Sequence, residues 1–147
     1  MLPVLVAQTV YAVQAARIDV REFRLPNRYT AIIAACGVLG AIARSAELYI
    51  VIAVLLVSAL HVLPNLLGKA WIGMGDAKLI AGLGLSLTSI ESVLAWLWLA
   101  YAVAAVVGLL LQKIHLSQKI PFGPYLTATW IAVVMGDYAR VAMAYSR

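Results

Sequence analysis

Long runs of apolar residues without charges alternate with short polar segments along the chain. None of the runs shows the polar–apolar alternation of a lipid-facing β-strand, so each is predicted to form a helix. The pattern predicts an all-α fold, a polytopic membrane bundle of about six transmembrane helices in a single domain over residues 1–147. The six predicted spans are Leu2–Ala16, Tyr29–Ala43, Leu48–Gly68, Leu79–Ile90, Ser92–Gln112 and Ile120–Gly136.

Composition supports this interpretation, since 65% of the residues are hydrophobic, 12% are charged and the mean hydropathy is +0.98. Most of the 11 basic residues follow the first, third and fifth runs: Arg17, Arg21, Arg24, Arg28, Lys69, Lys78, Lys113 and Lys119. By the positive-inside rule these loops face the cytoplasm, and both termini lie on the outer side of the membrane. We interpret the net charge of +5 as an orientation signal, so no nucleic-acid partner is expected.

The fourth run is too short to cross a membrane alone. Its 12 residues span about 18 Å, whereas a hydrocarbon core is about 30 Å thick. Extending the helix back to Trp71 gives 20 residues and places Asp76 and Lys78 within the membrane depth, where an ionisable group is a functional candidate. The alternative is a short helix whose Asp76 caps the N-terminus in water. Gly73 and Gly75 allow unusual backbone angles and close approach of another segment.

Acid/base chemistry at Asp76 needs a second acid on the same side. Asp19 and Glu22 share that side, and Glu22 is explained as a surface partner of the nearby arginines. Asp19 is therefore the predicted partner, and two carboxyls that share a proton can activate water for proteolysis. From the helix ends we expect Asp76 to act as the base and Asp19 as the acid. The remaining acids map to the outer ends: Glu47, Glu91 and Asp137.

Three short segments resemble the type IV prepilin peptidase family, membrane aspartyl proteases with a Gly-x-Gly-Asp motif: "DVREFRLPN" (Asp19–Asn27), "GMGDAK" (Gly73–Lys78) and "IPFGPYL" (Ile120–Leu126). The resemblance implies that Asp19 and Asp76 are the catalytic pair. The other motif positions are candidates for shaping the site: Gly73, Gly75, Lys78, Pro26, Asn27, Pro121, Phe122, Gly123 and Pro124. The two proline segments can equally be structural, as turns that lead into helices.

The resemblance also implies a location, the prokaryotic inner membrane, and a substrate. Family members remove the leader of prepilins or pilin-like precursors, which carry a hydrophobic N-terminal helix, at the cytoplasmic face. Larger members have an N-terminal domain with Cys-x-x-Cys motifs and methylate the new N-terminus. This sequence starts at its first run and has one cysteine, so it looks like the minimal peptidases of tight-adherence (Flp) pili, and we expect no N-methylation.

Two other functions stay open: a small ion- or proton-translocating membrane protein, in which the acids form a relay, and a non-catalytic subunit of a pilus or secretion machine. The oligomeric state is unknown from the sequence. Cys36 is the only cysteine, and no other His or Cys lies at ligand spacing from His61, so we expect neither a metal nor a cofactor.

Overall fold

The computed structural model describes residues 1–66, 73–110 and 121–145. Over these ranges the chain is all-helical, as predicted, with six helices in the predicted order and no strand. Four of the predicted span boundaries, Gly68, Trp71, Gln112 and Ile120, lie outside the described residues. The helices are α1 (Leu2–Glu22), α2 (Asn27–Ala43), α3 (Leu48–Leu66), α4 (Met74–Gly84), α5 (Ile90–Leu110) and α6 (Gly123–Tyr145).

Helix α5 is the strongest candidate for a membrane span. By length and composition it is the one helix in the described ranges that is long and apolar enough to cross a bilayer, with a mean hydropathy of 2.3 over its best window. Helix α2 and the Leu48–Leu63 part of α3 are apolar but shorter. Direct support for a membrane-spanning helix is therefore limited to α5, fewer than the six spans expected.

The first helix is longer than its apolar run. The run ends at Ala16, whereas α1 continues to Glu22 and ends at Phe23, whose φ of 53° is left-handed. The Phe23 N–H donates to the carbonyl oxygen of Asp19 at 2.9 Å, a common way to close a helix. Hydropathy records where polar residues begin, and polar residues such as Arg and Glu continue a helix well. Asp19 consequently lies on the last turns of α1.

The fourth helix differs most from its predicted bounds. It runs from Met74 to Gly84, about 16 Å. Neither the predicted run Leu79–Ile90 nor its extension back to Trp71 has these bounds. A turn after Gly84 separates it from α5. The Ser92 N–H donates to Ser89 Oγ at 3.1 Å, which caps the start of α5. A hydropathy count does not detect serine caps, so the fourth predicted run continued through the turn to Ile90.

Helix α4 lies at the centre of the bundle and packs against α2, α3 and α6. Its contact with α2 is very close, because a Cβ added at Gly37 would lie 2.2 Å from the Gly82 carbonyl oxygen. The fully buried Gln8 of α1 donates to that same oxygen at 2.9 Å, and the indole N–H of Trp130 on α6 donates to the Leu83 carbonyl at 2.9 Å. These bonds satisfy carbonyls near the end of α4.

A cluster of polar residues lies beyond the C-terminal end of α4. The buried Asp137 carboxylate of α6 accepts hydrogen bonds from the Thr88 N–H (3.2 Å), the Thr88 hydroxyl (2.9 Å) and the Ser92 hydroxyl (2.6 Å). The Arg44 guanidinium, just after α2, donates to the carbonyls of Leu85 and Leu87 at 2.8 and 2.7 Å. This outer polar cluster (Arg44, Thr88, Ser92, Asp137) fixes the turn between α4 and α5.

Candidate active site

Asp19 lies on the last turns of α1 and is 5% exposed. Its Oδ2 atom accepts a hydrogen bond of 2.9 Å from the backbone N–H of Gly123, the first residue of α6. A Cβ added at Gly123 would lie 3.0 Å from the same oxygen, so glycine lets the backbone come this close. The end of α1 and the start of α6 are thus joined through a buried carboxyl.

Asp76 lies in the first turn of α4, three residues after the N-cap residue Gly73, and is half-buried. Its Oδ2 atom is 3.2 Å from the position that a Gly73 Cβ would occupy, and the Gly73 backbone amide faces the carboxylate. This is the acid position of a helix capping arrangement, the alternative raised from the sequence. Asp76 is also an electrostatic neighbour of Asp19, so the two predicted acids lie near each other at one end of the bundle.

Leu25 fills the space between the two motif segments. A Cβ at Gly75 would lie 2.8 Å from Leu25 Cβ, and a Cβ at Gly123 would lie 3.2 Å from Leu25 Cδ2. The connection between α1 and α2 therefore packs under the start of α4, which carries Asp76, and the start of α6, which binds Asp19. Sequence analysis missed this residue, although a lone leucine between Arg24 and Pro26 was the available signal.

The two motif glycines act by leaving space. Gly73 has φ −65° and ψ 140°, angles that any residue adopts, so the expectation of an unusual backbone conformation there is wrong. Gly75 confirms the other expectation, close approach, because a side chain at that position would collide with Leu25. At the start of α4, glycine is required for its small volume rather than for its backbone freedom.

Lys78 and Asn27 bind each other. The Lys78 ammonium donates to Asn27 Oδ1 at 2.8 Å, so it turns away from Asp76, as its position on the helix suggested. Asn27 is the first residue of α2 and Pro26 is its N-cap residue, with φ −67° and ψ 133°. The contact ties the exposed starts of α2 and α4 together beside the acids.

The last motif segment leads into α6. Pro124 is the second residue of that helix, where a proline costs no hydrogen bond. Pro121 and Phe122 precede it, and the Phe122 ring packs 5.0 Å from the Tyr101 ring of α5, centroid to centroid, and 6.4 Å from that of Tyr125. The loop thus contacts Asp19 through Gly123 and an aromatic group through Phe122.

The other acids take no part in this arrangement. Glu22 is exposed and pairs with Arg24 at 2.8 Å, which confirms it as a surface partner of the arginines. Glu47 and Glu91 are exposed, and Asp137 belongs to the outer polar cluster. In the described ranges no three His, Cys, Asp or Glu side chains are grouped so that they could hold a metal ion.

The chain resembles known proteins over the region that carries this site. A sequence model described as the type IV leader peptidase family matches residues 6–111. "Prepilin leader peptidase/N-methyltransferase" of Aeromonas salmonicida is 44% identical over 75 residues, which is 49% of this chain and 26% of that protein. The proteins of the same name from Pseudomonas aeruginosa and Stutzerimonas stutzeri are 41% identical over 78 residues and 39% identical over 83 residues, each match covering 48% of this chain and 25% of the relative.

The matched segment spans about a quarter of the length of these relatives. No solved structure matches the chain significantly. The family match covers most of the chain and includes the α1, α2 and α4 segments that meet at Asp19 and Asp76. The chain therefore belongs to the type IV leader peptidase family.

Proposed function

We propose that this chain is a membrane-embedded aspartyl endopeptidase that removes the leader peptide from prepilins or pilin-like precursors. The observation that carries the proposal is that Asp19 and Asp76, from separate helices, lie at one end of the bundle on either side of Leu25. Leu25 packs against Gly75, the neighbour of Asp76, and against Gly123, whose N–H binds Asp19. Family membership and the names of the relatives support the reaction class. The proposal covers the peptidase activity alone.

The proposed chemistry uses the two carboxyls as a unit. Asp76, ionised, takes a proton from a water molecule whose oxygen attacks the scissile carbonyl carbon. Asp19, protonated, gives its proton to the carbonyl oxygen. The C–N bond then breaks as the leaving amine takes the proton held by Asp76, and Asp19 recovers its proton from the collapsing diol. Carboxyls that share a site titrate as a pair, so the proposed working state holds one proton between the two acids.

The site also fits a substrate held at a membrane surface. The two acids lie at the end of the bundle that carries Arg17, Arg21, Arg24 and Arg28, which by the positive-inside rule would face the cytoplasm. A precursor whose apolar helix lies in the bilayer would then present its leader junction at this depth. In this proposal the Lys78–Asn27 contact and the loop from Pro121 to Pro124 shape the opening rather than react.

The test is leader removal from a co-expressed pilin-like precursor, followed by the size and N-terminal sequence of the product. Asp19→Asn and Asp76→Asn keep the size of each side chain and remove its acid, so both should lower cleavage by about 10³-fold or more. Glu22→Gln is the matched control, since Glu22 lies on the same helix as Asp19 and is exposed.

Cleavage at the wild-type rate in either Asn variant would reject the dyad. If the wild-type chain cleaves no precursor but carries protons across vesicles in a way that Asp76→Asn abolishes, the ion-translocation alternative replaces the peptidase. Loss of cleavage in Glu22→Gln as well would show that charge at this surface, rather than the pair, is what matters.

A further inference from the structure

Both ring nitrogens of His61, on α3, form hydrogen bonds, and these bonds determine which nitrogen carries the proton. Its Nδ1 atom lies 2.7 Å from the carbonyl oxygen of Val57, and a carbonyl oxygen can only accept, so Nδ1 carries the proton. In the neutral ring Nε2 is then an acceptor. Its partner is the Tyr101 hydroxyl of α5, which must donate to it. The lone pairs of the Tyr101 oxygen are consequently free to accept from another group.

Tyr101 contacts α3 through His61 and the loop that leads into α6 through Phe122. On one side, His61 is one helical turn from Ser58, whose hydroxyl donates to the carbonyl of Ala77 at 2.7 Å, next to Asp76. On the other side, the Tyr101 ring packs 5.0 Å from that of Phe122, the neighbour of the residue that binds Asp19. Tyr101 is also in electrostatic range of Asp76, and 39% of the residue is exposed, so it is not sealed inside the core.

We propose that Tyr101, oriented by His61, holds the water molecule that attacks the substrate, by accepting a hydrogen bond from it while Asp76 accepts the other. This inference rests on the proposed peptidase function and adds two residues to it. Tyr101 would be a catalytic residue, because it touches the attacking water. His61 would be a positioning residue that acts through Tyr101.

The two acceptors fix the orientation of the water molecule. One hydrogen points to the Asp76 carboxylate and the other to the Tyr101 oxygen, which leaves a lone pair for the carbonyl carbon. During attack the oxygen bonds to that carbon and one proton passes to Asp76. The other proton stays on the oxygen, so Tyr101 keeps its own proton, which His61 continues to accept. No further reactant is needed.

The test compares purified variants in steady-state cleavage of a precursor peptide, with thermal unfolding of each. Tyr101→Phe keeps the ring against Phe122 and removes the hydroxyl, so kcat should fall about tenfold to hundredfold while KM changes by less than about twofold. Tyr49→Phe, an exposed tyrosine on α3, is the matched control and should cleave at the wild-type rate. His61→Leu should reproduce the loss of kcat, whereas His61→Gln, which keeps an acceptor, should recover at least half of it on a logarithmic scale.

A kcat within about twofold of wild type in Tyr101→Phe would overturn the inference, and so would a rise in KM alone, since that would make the hydroxyl a substrate contact. Equal losses in His61→Leu and His61→Gln would remove His61 from the arrangement. The two proposals fail separately: cleavage that survives Asp76→Asn rejects the dyad, whereas cleavage that needs Asp76 but not the Tyr101 hydroxyl rejects only the inference made here.

Discussion

At the scale of single residues, the Asp19 carboxyl and the Gly123 backbone fit closely against each other. The N–H of Gly123 binds the carboxyl at 2.9 Å, and a methyl group on Gly123 would lie 3.0 Å from the same oxygen. Gly123→Ala should therefore push the carboxyl aside by a few tenths of an ångström. We expect kcat for precursor cleavage to fall about tenfold or more, because the reaction depends on the position of this group.

Gly136→Ala is the control for that variant. It lies on the same helix, and nothing is within 4 Å of an added Cβ, so the change should leave cleavage at the wild-type rate and raise helix stability slightly. Equal kcat values in Gly123→Ala and Gly136→Ala would mean that the Gly123 contact does not position Asp19 for the reaction.

Single residues also show what the sequence could and could not predict. The two acids were chosen because ionisable groups are rare and costly in apolar surroundings, and the choice of Asp19 over Glu22 is consistent with their burial. Tyr101 was missed because an aromatic side chain in an apolar run carries no signal of its own. Leu25 was missed because a lone leucine among polar residues indicates burial but not which segments it packs against. Only the fold shows which of many such residues faces the acids.

At the scale of helices, the α2–α4 contact sets where Asp76 stands. A Cβ on Gly37 would lie 2.2 Å from the Gly82 carbonyl oxygen, a backbone atom that cannot turn aside. Gly37→Ala should separate the two helices and lower the free energy of unfolding by about 1–3 kcal/mol. Gly40→Ala on the same helix meets nothing within 4 Å and should raise it by up to about 1 kcal/mol. Reversible unfolding in detergent micelles measures both, and similar values would contradict the close packing.

Helix order and helix type followed from hydropathy, but helix ends did not. The end of α1 depends on a left-handed residue at Phe23, and the start of α5 on the hydrogen bond between Ser89 and Ser92; neither feature changes an apolar run. Helix α4 is short, as in the alternative raised from the sequence and unlike the extension back to Trp71, and neither its start at Met74 nor its end at Gly84 was predicted. Capping and packing decide such boundaries more than composition does.

At the scale of the whole molecule, the polar groups divide between two ends of the bundle. The outer polar cluster fixes the α4–α5 turn, while the acids proposed for cleavage lie at the start of α4. Asp137→Ala would leave two donors of Thr88 and one of Ser92 without their acceptor. We expect the free energy of unfolding to fall by about 3 kcal/mol, with cleavage kept at temperatures where the variant is folded.

Arg140→Ala is the control at the same end. Arg140 is 75% exposed at its side chain and lies 3.7 Å from Asp137, so its removal should change the unfolding free energy by less than about 0.5 kcal/mol. A loss of cleavage in folded Asp137→Ala would show that the two ends are coupled, contrary to this account.

The most direct test of the central claim, that Asp19 and Asp76 act as one unit, is a double-variant cycle of the cleavage rate constant. Asp19→Asn, Asp76→Asn and the double variant are assayed on the same precursor peptide. If the two carboxyls share one proton, each single variant should already be nearly as slow as the double variant, because either change removes one of the two groups that share it. Losses that multiply, with the double variant slower by the product of the two single effects, would mean that the acids act independently and would contradict the dyad.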